Sequence, residues 1–221
     1  MEFGQFCPIA KATEIIGEKW TILILREILM GSTRFSELQR GLSLISPAVL
    51  TKRLNTLSDY DLILKKKIPG QRGHEYFPTD ATKELLPIFI ALGDWGMRWT
   101  RQHLTNLDYD VDFFMLYLQR SIRPEKLPGK ETVVQFHFTD IKDNPYWWII
   151  VKGNDVEACT ISTGKDVDVY FTSTVKSMSD IWMGQLTYKK AVSSGELKIV
   201  GPAILTRNVT TWMENCMFSK D

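Results

Sequence analysis

The amino-acid sequence predicts an α+β chain in two parts: a winged helix-turn-helix over residues 1–106 and a sheet-and-helix layer over residues 107–221. Three observations carry this. Helical spacing of apolar residues, a Ser-Pro helix start and a basic hairpin fill the first hundred residues. Short alternating segments rich in β-branched and aromatic residues follow, ahead of a last group of amphipathic helices. Charge divides the same way, with 14 basic and 11 acidic side chains in residues 1–104 and 13 and 15 in the remainder. Halves of opposite sign suit different partners.

Bulk properties narrow the classes. A chain of 221 residues that is 44% hydrophobic can build two small cores. No apolar run approaches the roughly 18 to 20 residues of a membrane span, and residues 1–16 lack the basic start and long apolar region of a signal peptide. A cytoplasmic protein is expected. Cys7, Cys159 and Cys216 form no CxxC pair and leave an odd count, while His74, His103 and His137 are scattered. Neither a disulfide framework, a metal site nor a cofactor is indicated. There is no GxSxG, HExxH or phosphate loop, and His137 and Asp140, three apart, would point to opposite faces of a strand. An enzyme is not expected.

In chain order, residues 9–16 read as a short helix broken at Gly17. Residues 19–30 form a strongly apolar helix stopped by Gly31, with Trp20, Leu23, Ile24 and Ile28 toward the core. Phe35, Leu38 and Leu42 mark a short helix between residues 34 and 42. Ser46 followed by Pro47 starts the next, because a serine hydroxyl accepts an orphan N–H and proline at the first position loses no needed donor.

Leu50, Leu54 and Leu57 form the buried stripe of that helix. At about 100° per residue, Ala48, Lys52 and Asn55 fall opposite, with Thr51 and Arg53 on the flanks. Residues 62–64 then read as a strand, 65–73 as a basic turn, and 75–77 as the return strand. Residues 46–74 hold six cationic and two acidic side chains in a chain of net +1. A lysine run is ordinarily a solvated face, but this concentration points to double-stranded DNA. Ala48, Thr51, Lys52 and Asn55 are the candidates for base edges; Ser46, Arg53, Lys65, Lys66, Lys67 and Arg72 are those for phosphates.

Thr79 can cap a further helix, bent at Pro87, that holds Leu85, Leu86, Ile88, Phe89, Leu92, Trp95 and Trp99. That surface either packs on its own domain or forms a homodimer interface. In the second half, a helix follows Asp110 or Asp112. Strands are expected at 132–140, 146–152, 157–163, 166–173 and 197–200, with helices at 175–184, 187–194 and 204–217. Trp147, Trp148, Met178, Trp182, Met183, Trp212, Met213 and Met217 make a soft apolar set, which is either plain core or the lining of a ligand pocket.

The stretch CPIAKATEIIGEKWTILILREI, with Arg34-Phe35-Ser36-Glu37-Leu38, residues 45–54 (ISPAVLTKRL) and Leu92-Gly93-Asp94-Trp95-Gly96, resembles the HxlR-type transcription regulators over about residues 7–100. The resemblance implies a dimer joined through its first and late helices, with paired recognition helices on an inverted repeat. Cys7 stands where some members carry a redox-sensing thiol, the alternative being a structural role. Asp180, Gly184, Ala191, Ser194-Gly195, the strand 197–201 and the helix after Pro202 are similar to the sterol carrier protein type two superfamily over about residues 110–218. That similarity implies a sheet with helices around an apolar cavity for a small apolar or lipid-like ligand. The expectation is a homodimeric, ligand-responsive regulator of transcription; the alternative is a lipid-binding or carrier protein whose winged helix mediates protein contacts.

Overall fold

The computed structural model describes residues 2–162 and 164–219, which divide into two compact units, Met1–Trp99 and Thr100–Asp221. The sequence boundary at 106/107 falls beyond this division, in the short helical turns that follow Trp99. Among the described residues no helix is long and apolar enough to cross a membrane.

The first unit runs α1 (Pro8–Ile16), α2 (Thr21–Leu29), α3 (Phe35–Gly41), α4 (Pro47–Asp59), β1 (Ile63–Lys67), β2 (His74–Pro78), α5 (Asp80–Lys83) and α6 (Leu86–Trp99). Its core joins Ile24, Leu25 and Ile28 of α2 to Leu38, Leu42, Ile45, the leucine stripe of α4, and Ile63 and Tyr76 of the hairpin. Leu23, expected inside, faces outward instead. Because α2 begins at Thr21, after Trp20 in a left-handed conformation, its buried arc is Thr21, Ile24, Leu25, Glu27 and Ile28.

Glu27 has no exposed surface. Its carboxylate accepts from Arg26 at 2.8 Å and from the Ser32 hydroxyl at 3.3 Å, the pairing a buried charge requires. A Cβ on Gly41 would lie 2.4 Å from that carboxylate. Glycine is therefore what lets α3 close on α2 ahead of the turn.

β1 and β2 pair antiparallel, Lys65 opposite Tyr76 and Lys67 opposite His74. The three lysines expected in the turn lie in the strand. The turn is the Pro69-Gly70-Gln71-Arg72-Gly73 segment, whose two glycines have φ of 69° and 116°. Arg34 bridges Glu75, and Leu62 O at the hairpin root accepts from the hydroxyls of Thr79 and Thr82. Thr79 caps only the single-turn α5. Pro87 is the second residue of a separate α6, where its missing donor costs nothing, so the expected bent helix is two helices.

In the second unit α7 (Val111–Ser121) precedes β3 (Glu131–Phe138), β4 (Tyr146–Lys152), β5 (Asp155–Cys159), β6 (Val169–Ser173), α8 (Val175–Trp182), α9 (Tyr188–Ser194), β7 (Leu197–Val200), α10 (Ala203–Thr206) and α11 (Val209–Trp212). The sheet order is β5-β4-β3-β6-β7, antiparallel except for β3 with β6. Val134, Phe136, Phe138, Trp147, Ile149, Phe171 and Leu197 turn one face toward Phe114, Met178, Trp212 and Met213. The expected strand at 157–163 pairs only as far as Cys159, and Thr163 lies outside the described residues.

The expected closing helix is broken. Thr206 and Asn208 side chains bond back to Pro202 O and Ile204 O, and Thr211 to Asn208 O, local bonds that compete with a continuous ladder. At the start of the unit, Asp180 of α8 receives Arg101 at 2.9 Å and Lys176 at 2.6 Å.

Candidate nucleic-acid interface

The site rests on α4. Ser46 Oγ accepts the Val49 N–H at 3.3 Å and caps the helix, and Leu50, Leu54 and Leu57, each at most 2% exposed, seal its inner side. The outer row is therefore determined: Ser46, Ala48, Thr51, Lys52 and Asn55 are all exposed. Thr51 spends its hydroxyl proton on Pro47 O, which leaves an oxygen to accept. Small and polar side chains of this kind fit a major groove.

The wing stands beside that row. Lys65, Lys66, Lys67 and Arg72 are exposed, but strand alternation splits them. Lys65 shares a face with the buried Ile63 and Tyr76, whereas Lys66 lies on the other face with its ammonium 5.0 Å over the Phe77 ring. Lys65 Nζ donates to Asn55 Oδ1 at 3.1 Å, tying wing to helix. Arg34, which the sequence marks in a family motif but not as a DNA contact, reaches Gln71 at the wing turn and Glu75. Arg53 is half-buried and paired with Glu18 in the turn before α2. Lys65 thus joins the wing to the exposed row of α4, Lys66 lies on the wing's other face, and Arg53 is turned toward the protein.

Exposed apolar side chains lie on α6. Ile88, Leu92, Trp95 and Trp99, spaced four, three and four apart, are 47–62% exposed. Phe6 and Ile9 at the first helix are exposed as well. Cys7 occupies the N-cap position of α1 as a half-buried free thiol. Burial pushes the Cys159 and Cys216 thiols above the ordinary range.

The eight pocket candidates of the second unit do not surround one space. Trp147, Met178, Trp212 and Met213 are core, with Trp182 against its edge. Trp148 points to the other face of the sheet, Met183 is half-buried and Met217 is 55% exposed. A groove of about 400 Å³ lies elsewhere, lined by Tyr188, Lys189, Val192, Ile199, Arg207 and Val209 among others. It was missed because its walls come from α9, β7 and the broken α10–α11 segment. Burial raises the Tyr188 phenol well above its ordinary value; its O–H donates to Met213 Sδ at 3.1 Å.

The HxlR-like helix-turn-helix model matches residues 15–104, and the model of the SCP-2 sterol transfer family matches residues 116–214. The HTH-type transcriptional regulator YvaP of Bacillus subtilis (strain 168) is 35% identical over 101 residues, 45% of this chain and 94% of its own length. The HTH-type transcriptional regulator sll1512 of a Synechocystis strain is 33% identical over 102 residues, 46% of this chain and 76% of its own. A third, from Methanothermobacter thermautotrophicus, is 35% identical over 91 residues, 41% of this chain and 70% of its own.

Proposed function

The chain belongs to the HxlR-like helix-turn-helix family of transcriptional regulators and carries an SCP-2 domain behind it, and from that premise we propose that it acts as a homodimer on an inverted-repeat operator. The observation that carries this is the row Ser46, Ala48, Thr51, Lys52 and Asn55, exposed along α4 while the opposite side of the helix is sealed. Ala48, Thr51, Lys52 and Asn55 read base edges; Ser46, Lys66, Lys67 and Arg72 hold phosphates, with Arg53 joining them when it leaves Glu18.

The apolar row on α6 supports pairing of two copies, since a stripe of that length is costly to leave in water. The groove of the second unit, of a size usual for small-molecule sites, supports a small apolar ligand. Its occupancy biases the spacing of the two recognition helices. A mobility-shift assay on the promoter region of its own gene, with and without added fatty acids, tests both parts. A sequence-dependent shift at nanomolar protein that responds to the lipid is expected. A protein that shifts no duplex while lipid co-purifies in native mass spectrometry is a carrier, and the regulator reading fails.

A further inference from the structure

Lysine on a wing is ordinarily assigned to phosphate, but Lys65 is engaged differently from Lys66 and Lys67. It stands opposite Tyr76, on the side of the hairpin that turns toward the body of the unit. From there its ammonium reaches Asn55 at 3.1 Å. An ammonium has three donors and no acceptor, so the atom it meets must be the amide oxygen. The orientation of the Asn55 amide follows: its oxygen faces Lys65, and its NH₂ group, which makes no hydrogen bond among the described residues, is left to face outward.

That orientation has a chemical meaning in a major groove. A free asparagine reads adenine with both ends of its amide, the oxygen accepting from N6 and the nitrogen donating to N7. Here one of the oxygen's two lone pairs is taken by Lys65. What the pair chiefly offers outward is donors: the amide N–H groups of Asn55 and the remaining N–H groups of Lys65. Guanine is the base whose major-groove edge carries two neighbouring acceptors, O6 and N7; adenine and cytosine each place a donor there, and thymine sets a methyl beside its one acceptor.

We propose that Lys65 and Asn55 form a joined two-donor reader for one G·C pair in each half-site, in which Lys65 positions the amide and shares the contact. This rests on the regulator reading above and adds a specificity to it. Lys65 is then a determinant of sequence, while Lys66, on the other face of the wing, remains a determinant of affinity alone.

The test uses the full-length protein and duplexes selected by it from a pool with a randomised core. Each base pair of the selected half-site is then substituted in turn and titrated with wild type, Asn55→Ala, Lys65→Met, the double variant and Lys66→Met, each shown folded by circular dichroism. The expected result is a G·C preference at one position, on the order of tenfold, lost in Asn55→Ala and in Lys65→Met at that same position and not reduced further in the double variant. Lys66→Met should instead weaken every duplex alike and lower the salt slope by about one. A Lys65→Met protein that behaves like Lys66→Met overturns the pairing, as does an Asn55 preference for A·T. Wild type that binds no duplex sinks the regulator reading as well, whereas a uniform Lys65→Met loss sinks the two-donor reader alone.

Discussion

At the scale of single residues, Glu27 and Gly41 show how closely the helix-turn-helix is packed. The Glu27 carboxylate is buried and held by Arg26 and Ser32, so it cannot yield to a methyl placed 2.4 Å away. Gly41→Ala should therefore cost about 1–3 kcal/mol, read as a lower urea midpoint with an unchanged m-value. On the outer face, Lys52→Ala should relax discrimination at particular base pairs, whereas Lys66→Ala should weaken specific and random DNA alike and flatten the salt slope by about one; titrations at several salt concentrations separate the two. Equal losses on both kinds of DNA for both variants would overturn the groove assignment.

Tyr188 gives a pH dependence whose sign can be worked out. Its phenol keeps its proton when folded, while the unfolded chain ionises near about pH 10. Above that pH the unfolded state binds fewer protons than the native one, so stability falls as pH rises. Tyr188→Phe should flatten that decline in urea titrations run across the alkaline range. The Ser46 cap and the leucine stripe of α4 were legible in the sequence because their causes are local. Gly41 against Glu27, Arg53 with Glu18, and Asn55 with Lys65 were not, because each joins segments whose approach only the fold decides.

At the scale of elements, the α6 row sets a clear expectation. A charge in its middle, Trp95→Glu, should leave the fold intact, since the residue is half exposed, yet shift the protein from dimer to monomer in sedimentation velocity. Operator affinity should fall with it, because one half-site then carries the whole interaction. The helices and strands themselves were mostly readable, down to the unchanged limits of 146–152 and 197–200. The errors share a cause: alternation and helical spacing report which side is buried, not where the hydrogen-bond ladder ends. The lysines at 65–67 looked like a turn by charge, yet they complete a strand. The last helix looked continuous by spacing, yet threonine and asparagine side chains divide it.

At the scale of the whole molecule, the described residues form two hydrophobic clusters, one per unit, in keeping with the two parts expected from charge and periodicity. The aromatic and methionine set of the second part was legible as apolar but not as core or pocket, because composition carries no information on whether side chains meet or leave a gap.

The ion pair from Arg101 to Asp180 bears on where the chain may be severed. Asp180 is mostly buried and answers to two cations, one of them only two residues past Trp99. A fragment that starts at Thr100 carries that arginine along; one that starts at residue 107 leaves the aspartate with Lys176 alone. The longer fragment should melt higher, and anyone grafting this half onto another reader should splice before the arginine.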